Sequence, residues 1–140
     1  MQLVIVDTNV LVSGVAGNGT GTAPERIVDA WVLGRFKPCY CLRLLGEWQD
    51  VLSRPHLVKR HGLGASDLER LITRLLQLAV AIEAPHAGPR APDPNDQVLW
   101  DMLAYEPRTV LVTGDKLLLA SDDHAGRVIR PAEFAEGLPS

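Results

Sequence analysis

Leu3-Val4-Ile5-Val6-Asp7 is an unbroken run of β-favouring apolar residues that ends on a carboxylate. A strand without polar alternation is buried on both faces, which is the mark of a parallel sheet covered by helices on either side. Thr109-Val110-Leu111-Val112 repeats the pattern and leads through Thr113-Gly114 to Asp115. In open α/β sheets, ligands sit beyond the carboxyl ends of the strands, near the point where strand order reverses. Two carboxylates delivered there by strand ends are the most informative feature of the chain.

Between these strands the pattern alternates. Residues 13–21 contain Gly14, Gly17, Gly19 and Gly21 and are expected to form a flexible connection. Thr22, Pro24 and Glu25 make a capping box with proline in the first turn. Ile27, Val28, Trp31 and Val32 then share one helical stripe, which Gly34 ends. Residues 38–42 read as a short second strand, and Leu44, Leu45, Trp48, Val51 and Leu52 mark a helix before Pro55. Ser66 and Glu69 predict a second capping box, opening a helix whose apolar face runs through Leu68, Leu71, Ile72, Leu75, Leu76 and Ala79. Residues 79–84 are expected to form a third strand, and 85–94, with four prolines, a loop. Asp93 and Pro94 open a helix through Val98, Leu99, Met102 and Leu103; Val128-Ile129 is a last short strand, and Pro131 starts a terminal helix. Strands alternating with helices, without repeats or a linker, predict one α/β domain over residues 1–140 with a central parallel sheet.

With 46% hydrophobic and 22% charged residues, the 140-residue chain can bury a core, which excludes wholesale disorder and a disulfide-stapled scaffold. No apolar run reaches the length of a membrane span. The first residues lack a basic region and meet Asp7 early, so a cytoplasmic protein without a signal peptide is expected. Cys39 and Cys41 fit a reduced compartment, and two sulfurs without a nearby ligand pair do not close a zinc tetrahedron. A net charge of −3 excludes a generic polyanion binder. If the protein handles nucleic acid, metal ions or a local basic patch must bring the phosphate in.

Two further acids are candidates for the same sheet edge. Asp96 falls in the first turn of its helix, where the dipole tolerates a carboxylate, and Glu47 lies in the helix just after the second strand. Each has a plainer structural reading: Asp7 as a turn former or cap, Asp96 as a cap, Glu47 as a solvated helix residue. Together they describe a pocket of repelling carboxylates without histidines. Such a pocket suits hard cations such as Mg²⁺ or Mn²⁺ before zinc.

Val6-Asp7-Thr8-Asn9-Val10-Leu11, the Glu47 helix ending in Leu52-Ser53-Arg54-Pro55, Asp93-Pro94-Asn95-Asp96 and Val112-Thr113-Gly114-Asp115 resemble, in order, the motifs of a PIN domain. More narrowly they resemble its VapC-like branch, the toxin components of toxin–antitoxin systems. The resemblance implies a three-layer α/β/α fold with a parallel sheet of about five strands. It also implies a Mg²⁺- or Mn²⁺-dependent ribonuclease that leaves 5′-phosphate and 3′-hydroxyl ends. Asp7, Glu47, Asp96 and Asp115 match the family's catalytic and metal-binding acids, and Thr8, Asn9 and Thr113 the polar positions that orient them. Relatives often carry a further acid where Leu117 stands, and Asp122 and Asp123 come later. A small antitoxin over the acidic pocket is the implied partner.

Arg54, His56, Lys59, Arg60 and His61 form the densest basic stretch, readable as an RNA-guiding patch (Arg54, Lys59, Arg60) or as a solvated helix-to-helix connection. The glycine-rich stretch lacks the lysine of a P-loop and reads as a mobile rim or a phosphate cradle. Trp31 and Trp48 fall on core stripes, while Trp100 neighbours the Asp96 turn and is open between core and site. The four histidines lack metal-ligand spacing and read as surface or loop residues. The apolar face over Leu68 to Ala79 fits intramolecular packing or a homodimer. Two other functions fit the residues: a catalytically silent binding or assembly protein, and an aspartyl-phosphate phosphatase. The latter wants a second Asp where Asn9 stands.

Overall fold

The computed structural model describes residues 2–139. Five parallel strands form one sheet in the order β3-β2-β1-β4-β5: β1 (Leu3–Val6), β2 (Pro38–Tyr40), β3 (Val80–Ala81), β4 (Thr109–Val112) and β5 (Val128–Ile129). β1 and β4, the two uninterrupted apolar runs, are adjacent at the centre and buried throughout. The chain leaves β1 toward β2 on one side and returns to β4 on the other, so strand order reverses at the carboxyl ends of this pair.

The helices are α1 (Thr8–Val15), α2 (Ala23–Val32), α3 (Leu42–Leu52), α4 (Pro55–His61), α5 (Ala65–Gln77), α6 (Gln97–Tyr105), α7 (Lys116–Ala120) and α8 (Pro131–Glu136). They cover the sheet in a three-layer α/β/α arrangement, with α1 packed on α2 and α3, α2 on α8, and α6 on β4. Trp31, Trp48 and Trp100 are fully buried. Trp31 meets Trp48 edge-on at 5.5 Å and donates its indole N–H to the Leu75 carbonyl at 3.1 Å, which ties α2 to α5. Trp100 belongs to the core, and its indole donates to Asp123 at 3.0 Å. Among the described residues, no helix is long and apolar enough to cross a membrane.

The Thr22–Glu25 capping box is present, with the Thr22 hydroxyl accepting from the Glu25 amide and the Glu25 carboxylate accepting from Thr22. Other expectations are corrected. Ser13, Gly14 and Val15 are not loop but the last turn of α1, because Val10, Leu11 and Val12 bury a helical face immediately after β1. The basic stretch after Arg54 is the short helix α4, anchored by buried Leu57 and ended by Gly62 at φ 68°. Ser66 does not cap α5; the helix starts two residues earlier, from Gly64, without a side-chain cap. The third strand keeps only two of its expected residues. A 3-10 turn, Pro94–Asp96, precedes α6 where one helix was expected, since the Asp93 side chain caps the Asn95 amide. His124 is buried, not a surface residue, and packs edge-on against Trp100 at 5.0 Å.

Candidate active site

Asp7 and Asp115 stand just beyond the ends of β1 and β4. The Asp7 amide continues the ladder by donating to the Val112 carbonyl at 3.0 Å, which fixes both chain exits side by side. Thr113, fully buried, then links the two aspartates: its hydroxyl donates to Asp7 Oδ2 at 2.7 Å and accepts from the Asp115 amide at 3.0 Å. Thr8, also buried, donates its hydroxyl to Glu47 Oε2 at 2.8 Å and so draws α3 toward the start of α1. Each threonine thus donates to one of the candidate carboxylates. Asn9 is exposed at the rim.

The strand-ending aspartates differ. Asp115 is a helix cap, its Oδ1 accepting from the amides of Leu117 at 2.9 Å and Leu118 at 3.4 Å. Asp7 occupies the cap position of α1 without a well-formed capping bond, and its Oδ2 accepts from the Thr113 hydroxyl. Burial raises the Asp7 carboxyl above the ordinary carboxylate range, and the Asp115 charge adds to this. The Thr113 hydroxyl and the amides of Asn9 and Thr8 oppose the rise.

Asp96 stands in the turn that follows the prolyl loop, within reach of the charges of Asp7, Asp115 and Glu47. Burial, followed by the charges of Asp7, Asp115, Asp93 and Glu47, pushes its carboxyl to about 6. Its position is set by Gln97, which ties the loop to α6: the Gln97 side chain accepts from the Ala91 amide at 2.9 Å and donates to Pro89 and to Asp101. Leu117 adds no carboxylate, being 61% exposed, and Asp123 is taken by the Trp100 indole.

The donor set is all oxygen, and its members repel one another, which is the chemistry a hard divalent cation relieves. Among the described residues, no three His, Cys, Asp or Glu side chains are drawn together tightly enough to hold an ion at once. The cluster is therefore open, its carboxylates coupled by charge and not closed into a cage. A cavity of about 350 Å³ opens beside Asp7 and Asp115, bounded also by Asn9, Ser13, Pro24 and Gly114; Glu47 and Asp96 do not line it.

Sequence reasoning missed Ser13 and Pro24 as walls of this cavity. The signal was present: Asn9 and Ser13 are four residues apart, on one face of the helix that Asp7 opens. The basic trio separates. Arg54 is paired with Asp50 at 2.9 Å, whereas Lys59 and Arg60 are exposed on α4. The glycine stretch is not a vacant phosphate cradle, since the Gly19 amide already donates to Glu25 Oε2 at 2.6 Å. Cys39 and Cys41 are buried free thiols; burial, then the neighbouring Cys41 and Glu106, push the Cys39 thiol up to about 12, which makes it unreactive.

The crystal structure of PAE2754 from Pyrobaculum aerophilum is similar in fold, with a TM-score of 0.61 and 19% sequence identity over 96% of this chain and 88% of that one. A search of curated proteins gives no significant match. The family model described as PIN domain matches residues 3–117, a span that runs from β1 into α7 and takes in Asp7, Glu47, Asp96 and Asp115. The chain belongs to the PIN domain family, and its fold is of the nuclease type.

Proposed function

We propose that the protein is a Mg²⁺- or Mn²⁺-dependent endoribonuclease that hydrolyses RNA phosphodiester bonds at Asp7, Glu47, Asp96 and Asp115, and that it is the toxin component of a toxin–antitoxin pair. The observation that carries this reading is Asp96, whose carboxyl is raised to about 6 by burial and by four neighbouring acids at the edge where strand order reverses. Like charges assembled at such an edge without basic partners favour a divalent cation. When bound, that cation supplies a Lewis acid for the phosphoryl oxygen and a water acidic enough to attack at neutral pH.

The chain's own residues hold and orient. Asp7, Asp96 and Asp115 would hold the cation, and the Thr113 hydroxyl orients the Asp7 carboxylate. Glu47, oriented by Thr8, would add negative charge, either to a second cation or through its water shell. Asp115 spends Oδ1 on capping α7, which locks its carboxylate in place.

The test is cleavage of single-stranded and structured RNAs with Mn²⁺, Mg²⁺ or EDTA, using wild type, Asp7→Asn and Asp96→Asn. Metal-dependent cutting that both variants lose supports the nuclease and locates its site. Cutting that survives in both places the activity elsewhere, and no cutting together with no Mn²⁺ binding leaves a PIN-fold binding protein. The toxin role predicts a small antitoxin that lies over the acidic cavity and co-purifies when both are expressed; a homodimer through the α5 face belongs to the same reading. Growth unaffected by expression of an active nuclease overturns the toxin assignment.

A further inference from the structure

A second cavity, of about 670 Å³, adjoins the one beside Asp7 and Asp115, and the two share Ser13 and Pro24 as walls. They form one groove. Its floor is a single face of α1 and the residues that follow: Asn9, Ser13, Ala16 and Gly17 recur at helical spacing from the acidic end to the far end. At a rise of about 1.5 Å per residue, that face runs about 10 Å away from Asn9. At its far end stands Arg60, which projects from α4 into the second cavity.

The charges in the far cavity single out Arg60. The other charged wall residue, Glu25, has its carboxylate occupied by the Gly19 amide at 2.6 Å, the Thr22 amide at 3.1 Å and the Thr22 hydroxyl at 2.9 Å. Its charge is already met by donors, and the glycine-loop amides are spent on it. Arg54 is held by Asp50, and Lys59 does not line the groove. Arg60 is exposed, with no hydrogen bond or ion pair among the described residues. The two cavities have volumes of about 670 and 350 Å³.

We infer that the polynucleotide strand engaged at the carboxylates continues along this face of α1 and gives a neighbouring phosphate to the Arg60 guanidinium. The inference rests on the nuclease reading above and specifies the path of its substrate. Arg60 is a strand-binding residue and takes no part in the chemistry.

The test is binding of a labelled single-stranded RNA, long enough to span both cavities, in EDTA over a series of salt concentrations. Wild type is compared with Arg60→Ala, Arg60→Lys and Lys59→Ala, and each protein is then assayed for cleavage in Mn²⁺. Arg60→Ala is expected to weaken binding about tenfold and to lower the salt slope by about 1, with Arg60→Lys keeping the slope and Lys59→Ala changing less. Wild type that cleaves while Arg60→Ala keeps full affinity and slope overturns the path and leaves the nuclease. Wild type that binds through Arg60 but never cleaves upholds the path and overturns the nuclease. Wild type that binds no strand overturns the path.

Discussion

Thr113 carries more of the site than either aspartate it serves. Its hydroxyl donates to Asp7 and accepts from the Asp115 amide, in a position with no access to water. Thr113→Val keeps the shape and removes both bonds. Mn²⁺ affinity by calorimetric titration is expected to fall about 10- to 100-fold, with Thr113→Ser restoring it. Asp96 makes the opposite case, a residue that costs stability where it stands. Its folded carboxyl, at about 6, lies above the ordinary 3.8, so the native state binds more protons than the unfolded one between these values, and stability is lost as pH rises through that window. Asp96→Asn removes the repulsion. The metal-free protein is expected to gain about 1 kcal/mol at pH 7.5 after solvent screening, read as a higher thermal midpoint, while Mn²⁺ no longer stabilises it further. At this scale the sequence located Asp7 and Asp115 because apolar strands end on them. It did not separate the capping Asp115 from Asp7, which lacks a well-formed capping bond, since that depends on where each side chain points.

The elements legible in the chain are those whose pattern is local. β1 and β4 have uninterrupted apolar runs, and α2 carries its own capping box and proline. α1 was obscured because it begins without a loop, directly on the residue that ends β1, and because its last turn contains Ser13 and Gly14. Gly14 reads as a flexible link but serves close packing. A Cβ there would stand 2.4 Å from the Pro24 carbonyl oxygen and 2.4 Å from a Val28 methyl. Gly14→Ala is therefore expected to cost about 1–3 kcal/mol in urea denaturation by prising α1 from α2, despite the better helix propensity of alanine. An unchanged midpoint would mean that the two helices separate freely. α4 and the start of α5 were misread for a different reason: they are tied down by one buried leucine and by a glycine cap, and neither gives a periodic signal.

Across the whole molecule, pH acts through buried groups of opposite sign. His124 is packed against Trp100, and burial, then the charge of Arg127, lowers its pKa below 6.5, while Asp123 opposes this. The folded form keeps the ring neutral, with Nε2 unpaired, whereas the unfolded chain protonates it. Its stability contribution is complete above about 6.5 and is lost as pH falls toward the folded value. Asp96 works against this over part of the same range. Urea midpoints between pH 7.5 and 5.5 are therefore compared in pairs: wild type is expected to lose more than His124→Phe on acidification, and equal losses would mean that His124 does not carry the pH dependence. The α/β class and the parallel sheet were visible in one dimension, whereas the groove beside the strand ends was not. It depends on α1 lying between a strand end and a helix from elsewhere in the chain.

The sheet also has a bearing on how this protein avoids sticking to copies of itself. Its outermost strands, β3 and β5, contribute only two residues each. An intruding strand at either border finds a ladder too short to extend, which is a built-in guard against runaway edge-to-edge polymerisation. The most hydrophobic strands, the central pair, are paired on both sides and buried throughout.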